Sequence, residues 1–485
     1  MNGSLASTIR RLSIFVALLF LALLVNINLV QVTRASSLAN EPGNSRGLIK
    51  EYARQRGPIL VDGVPVAVSV AGSGTLKYQR TYPDAGLYVS ATGFYSLIYG
   101  RTGIERIKDS ILAGTDPLFS IQQLSDLIAG RPTKGGSVLL TINPKAQEAA
   151  AAGMRGKIGA VVAIQPSTGA ILALVQSPTF DPNLLAVNDG EAEQAAWNKL
   201  IADPTQPLLN RPLVQVYPPG STFKLVTLTA ALSSGKYLPT TEIPSPAAIR
   251  LPNSTAMLPN DNGRQCGNGH VTLVQALAVS CNTAFARVGI DLGGDALLAQ
   301  AEKFGFNSSF QVPMTAATSR FPSNLDPAQT ALSAIGQYDV RATALQMAMV
   351  AAAISNHGVV NEPYLIQQVL GPDLAPLETA QVHPFGTAMS PLVAAQVTAM
   401  MVGVVQNGTG TAAQIPGVAV AGKTGTAQTA PGQPADAWFV SFAPAQSGDV
   451  AVAVVVEGAP NDGQISGGRL AAPVARAVME AILNK

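Results

Sequence analysis

Residues 217–232 read YPPGSTFKLVTLTAAL, a proline–glycine turn followed by a strongly apolar helical run. A Ser-x-x-Lys motif begins at Ser221, directly after the turn, and ends at Lys224. We therefore expect Ser221 at a helix N-terminus, where unpaired N–H groups and the helix dipole favour developing negative charge. Because residues three apart share one helix face, the Lys224 amine is expected to reach the Ser221 hydroxyl and to act as its base.

The Ser-x-x-Lys pattern is weak on its own, and the sequence contains it twice. The second copy begins at Ser233 and ends at Lys236, where Ser-Ser-Gly predicts the end of the same helix. An N-capping serine followed by a surface lysine would give the same pattern without any chemistry. The local sequence therefore makes Ser221 the candidate nucleophile, and support must come from other motifs.

A Ser-x-Asn motif occurs once, at residues 280–282. It follows the helical run VTLVQALAV, and a break there would present polar side chains to a cleft. Ser280 is a candidate proton relay between Lys224 and a leaving amine, and Asn282 is a candidate partner for a substrate amide. The alternative is an ordinary break between two helices.

A Lys-Thr-Gly motif also occurs once, as Lys423, Thr424 and Gly425, and Thr426 follows it. It lies on a predicted strand, and an edge strand can pair with an extended peptide through main-chain bonds. Gly425 is expected to leave space where the substrate approaches, and Thr424 and Thr426 are candidates for binding a terminal carboxylate. A glycine-containing strand with a solvated lysine is the alternative.

Two further roles depend on bringing the motifs together. The positive charge of Lys423 is expected to lower the pKa of Lys224 and so make it a better base. The backbone N–H groups of Ser221 and Thr426 are candidates for an oxyanion hole.

Strand-like segments at both ends of the chain enclose a mainly helical region from about 195 to 405. Residues 159–176, GAVVAIQPSTGAILALVQ, predict a hairpin around a Pro-Ser-Thr-Gly turn. Three more strand-like segments are GVAVAGKTGTAQT, DAWFVSFAPA and DVAVAVVVEGA, and the segment GSVLLTI at 136–142 is similar. We predict an α+β fold in which distant segments form one antiparallel sheet covered by helices.

An uncharged apolar stretch, residues 12–32, is long enough to cross a bilayer as a helix. Arginines at 10 and 11 precede it and one at 34 follows, so the positive-inside rule places residues 1–11 in the cytoplasm. Residues 33–135 are then a first extracytoplasmic domain and residues 136–485 a second. The alternative is a cleaved signal peptide, which the length of the apolar stretch disfavours.

Composition excludes several classes of function. With 31 basic and 29 acidic residues the net charge is +2, and there is no clustered basic run of the kind that nucleic-acid binding requires. His270, His357 and His383 are scattered without metal-ligand spacing, so we expect no metal and no cofactor. Cys266 and Cys281, in an exported domain, permit either one disulfide or two buried thiols.

In their order along the chain the three motifs resemble those of class B penicillin-binding proteins, and most of all the actinobacterial penicillin-binding protein A branch. The resemblance spans roughly residues 45–485 and makes residues 33–135 a pedestal domain and 136–485 a transpeptidase domain. The segments that carry it are TFDPN at 179–183, YPPGSTFK at 217–224, SCNTAF at 280–285, GKTGTAQ at 422–428 and AWFVSFAPA at 437–445.

The resemblance implies a peptidoglycan D,D-transpeptidase that acts in cell-wall synthesis and in cell division, although the sequence does not separate division from elongation. Ser221 would attack the D-alanyl-D-alanine end of a stem peptide, and an amine from a neighbouring stem would resolve the acyl-enzyme. Beta-lactams would acylate the same serine, and a polytopic SEDS glycosyltransferase would be the membrane partner. A Cys266–Cys281 bridge would hold Ser280 and Asn282 in place.

Other functions on the same fold stay open at this stage. A beta-lactamase of class A uses a Glu-x-x-x-Asn loop, which is not found; Glu302 instead lies on a helical stretch. A D,D-carboxypeptidase, with water as acceptor, is not excluded. A non-catalytic scaffold or beta-lactam sensor is disfavoured, because all three motifs are intact and only about eleven residues precede the predicted span.

Overall fold

The computed structural model describes residues 3–33, 51–72, 76–120, 128, 134–429, 433–444, 449–459 and 465–484. The first two residues of the predicted cytoplasmic tail and residues 34–50 of the predicted pedestal lie outside the described residues.

The strands are short at the start of the chain and longest near its end. They are β1 (Ile59–Val61), β2 (Val64–Ala71), β3 (Tyr78–Thr81), β4 (Ser137–Leu140), β5 (Gly159–Ile164), β6 (Ile171–Ser177), β7 (Glu242–Pro244), β8 (Ala248–Arg250), β9 (Met257–Pro259), β10 (His270–Thr272), β11 (Val359–Asn361), β12 (Ile366–Leu370), β13 (Pro376–Thr379), β14 (Pro384–Thr387), β15 (Ala421–Ala427), β16 (Asp436–Ala443) and β17 (Val450–Val456).

The α-helices occupy mainly the middle of the chain. They are α1 (Gly3–Asn28), α2 (Val89–Thr92), α3 (Gly103–Ile107), α4 (Asp109–Leu112), α5 (Pro144–Gly153), α6 (Gly190–Ala202), α7 (Arg211–Val214), α8 (Lys224–Ser233), α9 (Leu273–Ala278), α10 (Asn282–Leu292), α11 (Gly294–Lys303), α12 (Pro327–Ser333), α13 (Ala344–Ser355), α14 (Pro391–Asn407), α15 (Gly467–Leu470) and α16 (Ala472–Leu483).

A five-stranded antiparallel sheet, in the order β15-β16-β17-β5-β6, carries the Lys-Thr-Gly motif on its strand β15. The predicted hairpin is confirmed as β5 and β6, and the three predicted C-terminal strands as β15, β16 and β17. Both faces of β16 and β17 are buried, which explains their nearly continuous apolar sequences. The sheet brings together segments more than 250 residues apart, as the sequence predicts.

Helices cover this sheet on both faces because alternate residues of each strand point in opposite directions. In β17, Ala453 and Val455 pack in the cluster that contains α13, whereas Val452 and Val454 pack in the cluster that contains α5 and α16. The sheet is therefore the middle layer of a helix–sheet–helix arrangement, and β15 forms one edge of it.

A second, six-stranded sheet departs from the prediction of a single sheet. Its order is β13-β12-β4-β1-β2-β3, and β4 pairs in parallel with β1, Ile59 opposite Val138. The strand-like segment 136–142 thus contributes β4 to this sheet and not to the sheet that carries the Lys-Thr-Gly motif. The backbone of β4 pairs with β1 on one side and with β12 on the other, and these two strands are far apart in sequence.

The N-terminal helix α1 forms part of a separate compact unit. Residues Ser7–Gln31 are long and apolar enough to cross a membrane. The predicted span, 12–32, falls mostly within this stretch, but the helix begins earlier and includes the two arginines at 10 and 11.

Candidate active site

The candidate nucleophile lies on a 3-10 turn, Gly220–Phe223, that leads directly into α8. Gly220 has a φ of +51°, and its N–H donates to Gly336 O at 3.0 Å. A Cβ atom at Gly220 would lie 2.9 Å from Thr426 O, so glycine is required for both the conformation and the contact with β15. Ser221 therefore stands at the start of a helix, as predicted, and it is 6% exposed.

The other copy of the Ser-x-x-Lys pattern is remote from this chemistry. Helix α8 ends at Ser233, which is exposed together with Lys236. The predicted helix end is confirmed, and this copy of the pattern marks only the end of α8.

Lys224 is fully buried and connects the first motif to the second. Its Nζ donates to Asn282 Oδ1 at 2.6 Å, to Ser280 O at 2.8 Å and to Ser280 Oγ at 3.3 Å. Within the part of the chain that the structure describes, these hydrogen bonds go to Ser280 and Asn282 and none goes to Ser221 Oγ. Residues of the second motif, and not the nucleophile, therefore hold the Lys224 amine in position beside the turn.

Ser280 occupies the break between α9 and α10 and has a φ of +58°. Such a left-handed conformation is unusual for serine. It brings the backbone oxygen and the hydroxyl of Ser280 to the same amine. The predicted break between two helices is therefore present, and its polar groups face Lys224.

Lys423 approaches the same hydroxyl from β15. Its Nζ donates to Ser280 Oγ at 2.9 Å and to Thr424 O at 2.8 Å, and its side chain is fully buried. The Ser280 hydroxyl thus lies between two buried amines that come from α8 and β15. The geometry brings together residues of all three motifs.

Burial lowers the pKa of Lys224 to about 7, and the carboxylate of Asp261 opposes that change. Burial also lowers the pKa of Lys423 well below its usual range, and repulsion from Lys224 lowers it further. The first cause of the low Lys224 pKa is therefore burial, not the charge of Lys423 that the sequence suggested. Both lysines therefore lose their protons more easily than exposed lysines do, and repulsion between like charges disfavours two protons on the pair at once.

Gly425 is the point where β15 meets the nucleophile turn. A Cβ atom there would lie 3.0 Å from Thr222 Cγ2 and from Trp438 Cβ, and 3.1 Å from Pro219 O. The space beside Gly425 is thus filled by the protein itself, whereas the sequence argument assigned it to the substrate. The glycine allows the strand and the turn to come close together.

The two threonines of β15 differ in their surroundings. Thr424 is buried, and its hydroxyl lies 2.6 Å from the hydroxyl of Thr409. Thr426 is partly exposed, one residue beyond Gly425. Of these two threonines, Thr426 is therefore the one whose side chain is partly open to solvent beside the turn.

The start of α10 is tied to the segment that follows β9. Cys266 and Cys281 form a disulfide, with an S–S distance of 2.12 Å. Asn282 Nδ2 donates to Asp261 Oδ1 at 2.8 Å and to Pro259 O at 3.3 Å. The oxygen and the nitrogen of the Asn282 amide therefore both form hydrogen bonds within the protein. The sequence does not point to Asp261, because this residue belongs to no motif.

A second polar cluster supports the turn from the other side. Tyr217 OH donates to Glu457 Oε1 at 2.8 Å, and Arg211 Nε donates to the same oxygen at 3.2 Å. Trp438 Nε1 donates to Pro218 O at 3.0 Å. Apart from Tyr217, which precedes the Pro-Pro-Gly turn, no residue of this cluster belongs to a sequence motif.

Within the described ranges, no three His, Cys, Asp or Glu side chains come close enough together to hold a metal ion. The arrangement offers a hydroxyl, two amines of lowered pKa and an amide, which are the groups needed for serine-based acyl transfer.

Comparison with known proteins agrees with this chemistry. Residues 159–480 match the penicillin binding protein transpeptidase domain, and residues 56–138 match the penicillin binding protein A dimerisation domain. The chain is 44% identical over 489 residues to the peptidoglycan D,D-transpeptidase PbpA of Mycolicibacterium smegmatis, covering 99% of each chain. It is also 44% identical over 494 residues to PbpA of Mycobacterium tuberculosis, covering 100% of this chain and 99% of that one.

Solved structures show the same relationship. Penicillin-binding protein A from M. tuberculosis, in its ceftriaxone acyl-enzyme complex, superposes with a TM-score of 0.88 at 44% identity, covering 90% of this chain and 100% of that one. Its penicillin G acyl-enzyme complex gives 0.85 at the same identity, covering 89% and 100%. Full-length identity, matched domains and superposed fold together show that this chain belongs to the penicillin-binding protein transpeptidase family, as a class B penicillin-binding protein.

Proposed function

We propose that this chain is a peptidoglycan D,D-transpeptidase in which Ser221 is the acylated residue. The observation that carries the proposal is the Ser280 hydroxyl, which lies 3.3 Å from Lys224 Nζ and 2.9 Å from Lys423 Nζ. Two buried amines on one hydroxyl form a short proton path, and it ends beside the turn that carries Ser221. The activity named for the mycobacterial relatives supports the same reaction.

The first half of the reaction transfers an acyl group to the enzyme. Ser221 Oγ attacks the carbonyl carbon between the two terminal D-alanines, and its proton passes to the neutral amine of Lys224. The C–N bond then breaks, and the leaving amine of D-alanine takes a proton from Lys224 through the Ser280 hydroxyl. The products are free D-alanine and an ester between Ser221 and the shortened stem peptide.

The second half returns the enzyme to its starting state. The amine of a neighbouring stem peptide attacks the ester carbonyl and gives up one proton to Lys224. The ester bond breaks, Ser221 Oγ regains a proton, and a new peptide bond joins the two stems. No net proton is gained or lost, so a single shared proton on the lysine pair is enough.

Strand β15 is the proposed binding edge for the donor peptide, since it is the outer strand of the sheet and meets the turn of Ser221. We assign the N–H groups of Ser221 and Thr426 to the oxyanion hole. Thr426, with its partly exposed side chain, is the proposed carboxylate contact, and Thr424 supports it from within the fold.

The proposed roles of the second motif follow from its contacts. Ser280 relays protons, and Asn282 holds the Lys224 amine through its 2.6 Å hydrogen bond. Beta-lactams would acylate Ser221 by the same first step, because their strained amide presents a carbonyl carbon to the same nucleophile. The acyl-enzyme complexes solved for the M. tuberculosis relative support this expectation.

We infer that α1 anchors the protein in a membrane, with its N-terminus in the cytoplasm and residues 33–135 (pedestal) and 136–485 (transpeptidase) outside. The two arginines near the start of the helix support this direction. The proposed membrane partner is a SEDS glycosyltransferase, which would supply glycan strands next to the anchor. Site-specific crosslinking from the apolar face of α1 in membranes would test that partner.

The activity is tested by incubating the full chain with a stem pentapeptide and an amine acceptor and following products by mass spectrometry. A transpeptidase yields the donor without its terminal D-alanine, joined to the acceptor. A donor that has lost D-alanine and gained only water would instead identify a carboxypeptidase. No change in the donor, with Ser221→Ala as the matched blank, would contradict both.

A further inference from the structure

The carboxylate of Asp261 lies beside the catalytic cluster and takes no part in the steps described above. It follows β9, and its side chain is exposed. Asp261 Oδ1 accepts a hydrogen bond of 2.8 Å from Asn282 Nδ2. Asn282 Oδ1 in turn accepts one of 2.6 Å from Lys224 Nζ. One amide group therefore connects this carboxylate to the amine that serves as base.

The orientation of the Asn282 amide follows from these two neighbours. If the amide were reversed, its NH₂ group would face the Lys224 amine, and its oxygen would face the carboxylate of Asp261. The carbonyl of Pro259, 3.3 Å from Asn282 Nδ2, favours the observed orientation as well. Asp261 thus favours, together with Pro259, the orientation in which Asn282 presents its oxygen to Lys224.

The segment that carries Asp261 is attached to α10 on both sides of the carboxylate. Before it, Asn260 Oδ1 accepts a hydrogen bond of 3.0 Å from the Thr283 N–H. After it, Cys266 forms the disulfide with Cys281. Because both attachments are to the start of the helix that carries Asn282, the distance between Asp261 and Asn282 is well defined even though Asp261 is exposed.

The charges that face the lysine pair come from three elements. Lys224 lies on α8, Lys423 on β15 and Asp261 on the segment after β9, while the two cysteines are bonded to each other and do not titrate. The negative charge of Asp261 raises the pKa of both lysines, against the larger lowering that burial causes. It therefore helps to keep one proton on the pair.

We propose that Asp261 is a positioning residue that orients Asn282 toward Lys224 and supplies the counter-charge of the Lys224–Lys423 pair. The proposal rests on the proposed function, because it concerns the base that activates Ser221. Its consequence is that Asp261 sets the pH range in which the base is free to accept the proton of Ser221.

Asp261→Asn separates the two effects, because an asparagine oxygen still accepts from Asn282 Nδ2 but carries no charge. Without the charge the lysines lose their proton more easily, so the acidic limb of the acylation rate moves to lower pH. The rate of labelling by fluorescent penicillin is divided, for each protein, by its own plateau rate at alkaline pH. At mildly acidic pH we expect this relative rate to be about threefold higher in the variant than in the wild type, which corresponds to a shift of about half a pH unit. Asp62→Asn, an exposed aspartate in the β1–β2 turn, is the control and should follow the wild-type profile.

Asp261→Leu removes the charge and the hydrogen bond together. We expect its acylation rate to fall about tenfold or more at every pH, in line with a lost hydrogen bond to a charged group, while its thermal unfolding stays close to that of Asp261→Asn. A wild-type pH profile in Asp261→Asn would overturn the counter-charge, and wild-type rates in Asp261→Leu would overturn the positioning. A wild-type protein that takes no label on Ser221 would instead overturn the proposed function, and with it this inference.

Discussion

The chemistry of the site comes from two buried lysine amines, those of Lys224 and Lys423, which donate their hydrogen bonds to uncharged oxygens. An exposed lysine holds its proton at neutral pH and cannot act as a base. Burial lowers the pKa of Lys224 to about 7, so that a large fraction of the amine is neutral where the enzyme would work. The surrounding contacts hold this amine in place, since Asn282 and Ser280 accept its hydrogen bonds.

Lys224→Arg tests whether that neutral amine is required. The guanidinium keeps a positive charge and hydrogen-bond donors but cannot be deprotonated in a protein. We expect the rate of acylation by penicillin to fall about 10²–10⁴-fold, the usual contribution of a general base. The measurement is stopped-flow or time-resolved penicillin labelling at a temperature where both proteins are fully folded. A rate within threefold of the wild type would contradict the role of Lys224.

A buried carboxyl group, Asp436, gives a separate pH effect at the residue scale. It begins β16 directly opposite Glu457, as the register Ala437↔Val456 requires. Burial first, and then repulsion from Glu457, raise the pKa of Asp436 to about 7, although a hydrogen bond from the Gly458 N–H lowers it. Folding therefore favours the protonated form, and the stability gained this way is lost as pH rises toward 7.

Asp436→Asn should remove that loss, because asparagine is neutral at every pH. We expect the wild-type melting temperature to fall between about pH 4 and pH 7 through this group, and the variant to fall less, so that the variant is the more stable of the two above pH 7. Thermal unfolding followed by circular dichroism over this range is the measurement. Parallel curves for the two proteins would show that Asp436 is not protonated in the fold.

At the scale of elements, the site depends on how closely β15 approaches the turn before α8. Gly220 contacts Thr426 from the turn, and Gly425 contacts Pro219 and Thr222 from the strand. Each glycine is required because a methyl group at either position would push the two elements apart. This contact determines how closely Thr426, the proposed oxyanion donor of β15, approaches the turn of Ser221.

Gly425→Ala is expected to separate the strand from the turn. Its Cβ would lie 3.0–3.1 Å from Thr222, Trp438 and Pro219, and overpacking of this kind costs about 1–3 kcal/mol. We expect a lower melting temperature and acylation slowed by about tenfold, since small displacements of an oxyanion donor are costly. Gly403→Ala, inside α14 with nothing within 4 Å of the added Cβ, is the matched control and should be neutral or stabilising. Equal behaviour of the two variants would contradict this account of Gly425.

The sequence predicts the elements that carry short, local signals. The β5–β6 hairpin follows from two apolar runs around Pro-Ser-Thr-Gly, and the end of α8 at Ser233 follows from Ser-Ser-Gly. The Lys-Thr-Gly motif likewise lies on the predicted strand, β15, which forms an edge of the sheet. These features depend on neighbouring residues, which is why they can be read without a structure.

The features that the sequence does not predict depend on long-range contacts. Asp261 and Asn282 are 21 residues apart, and the pairing of β1 with β4 joins residues about 80 apart. The sequence suggests that the space beside Gly425 is left for the substrate, because nothing local shows that the turn before α8 fills it. The hydrogen bonds of Lys224 to the second motif, instead of to Ser221, also become visible only when α8 and α10 are packed together.

At the scale of the whole molecule, the six-stranded sheet joins both predicted extracytoplasmic regions. Strands β1–β3 come from residues before 136, whereas β4, β12 and β13 come from residues after it. The division at 135/136 stays a prediction, and the strand that begins there, β4, has a partner on each side of it. Early and late parts of the chain are therefore expected to fold cooperatively.

A buried ion cluster stabilises the early part of this arrangement. Glu105 is fully buried and accepts hydrogen bonds of 2.6 Å from both Arg56 Nε and Arg80 Nε. The two arginines hold the pKa of Glu105 below its usual value in spite of burial, which on its own would raise it. Glu105 is thus shared by two guanidinium groups, of which Arg56 also donates to Asp109 Oδ1 at 2.7 Å.

Glu105→Gln should be strongly destabilising, because the buried Arg80 loses its Glu105 counter-charge and Arg56 is left with the partly exposed Asp109. We expect a loss of about 3–5 kcal/mol, the usual cost of breaking a buried ion pair from one side. Urea unfolding monitored by tryptophan fluorescence measures it, with Asp62→Asn as an exposed acidic control that should change stability by less than about 0.5 kcal/mol. A variant as stable as the wild type would show that the cluster does not stabilise the fold.

Locating the covalent adduct formed with penicillin shows whether Ser221 is the nucleophile. The full chain is incubated with penicillin, and the adduct is located by intact mass and peptide mapping, with Ser221→Ala in parallel. We predict a long-lived adduct on the peptide that contains Ser221 and none in the variant. An adduct that persists in Ser221→Ala would show that another residue is acylated, and rapid release of hydrolysed drug by the wild type would show a beta-lactamase instead of a transpeptidase.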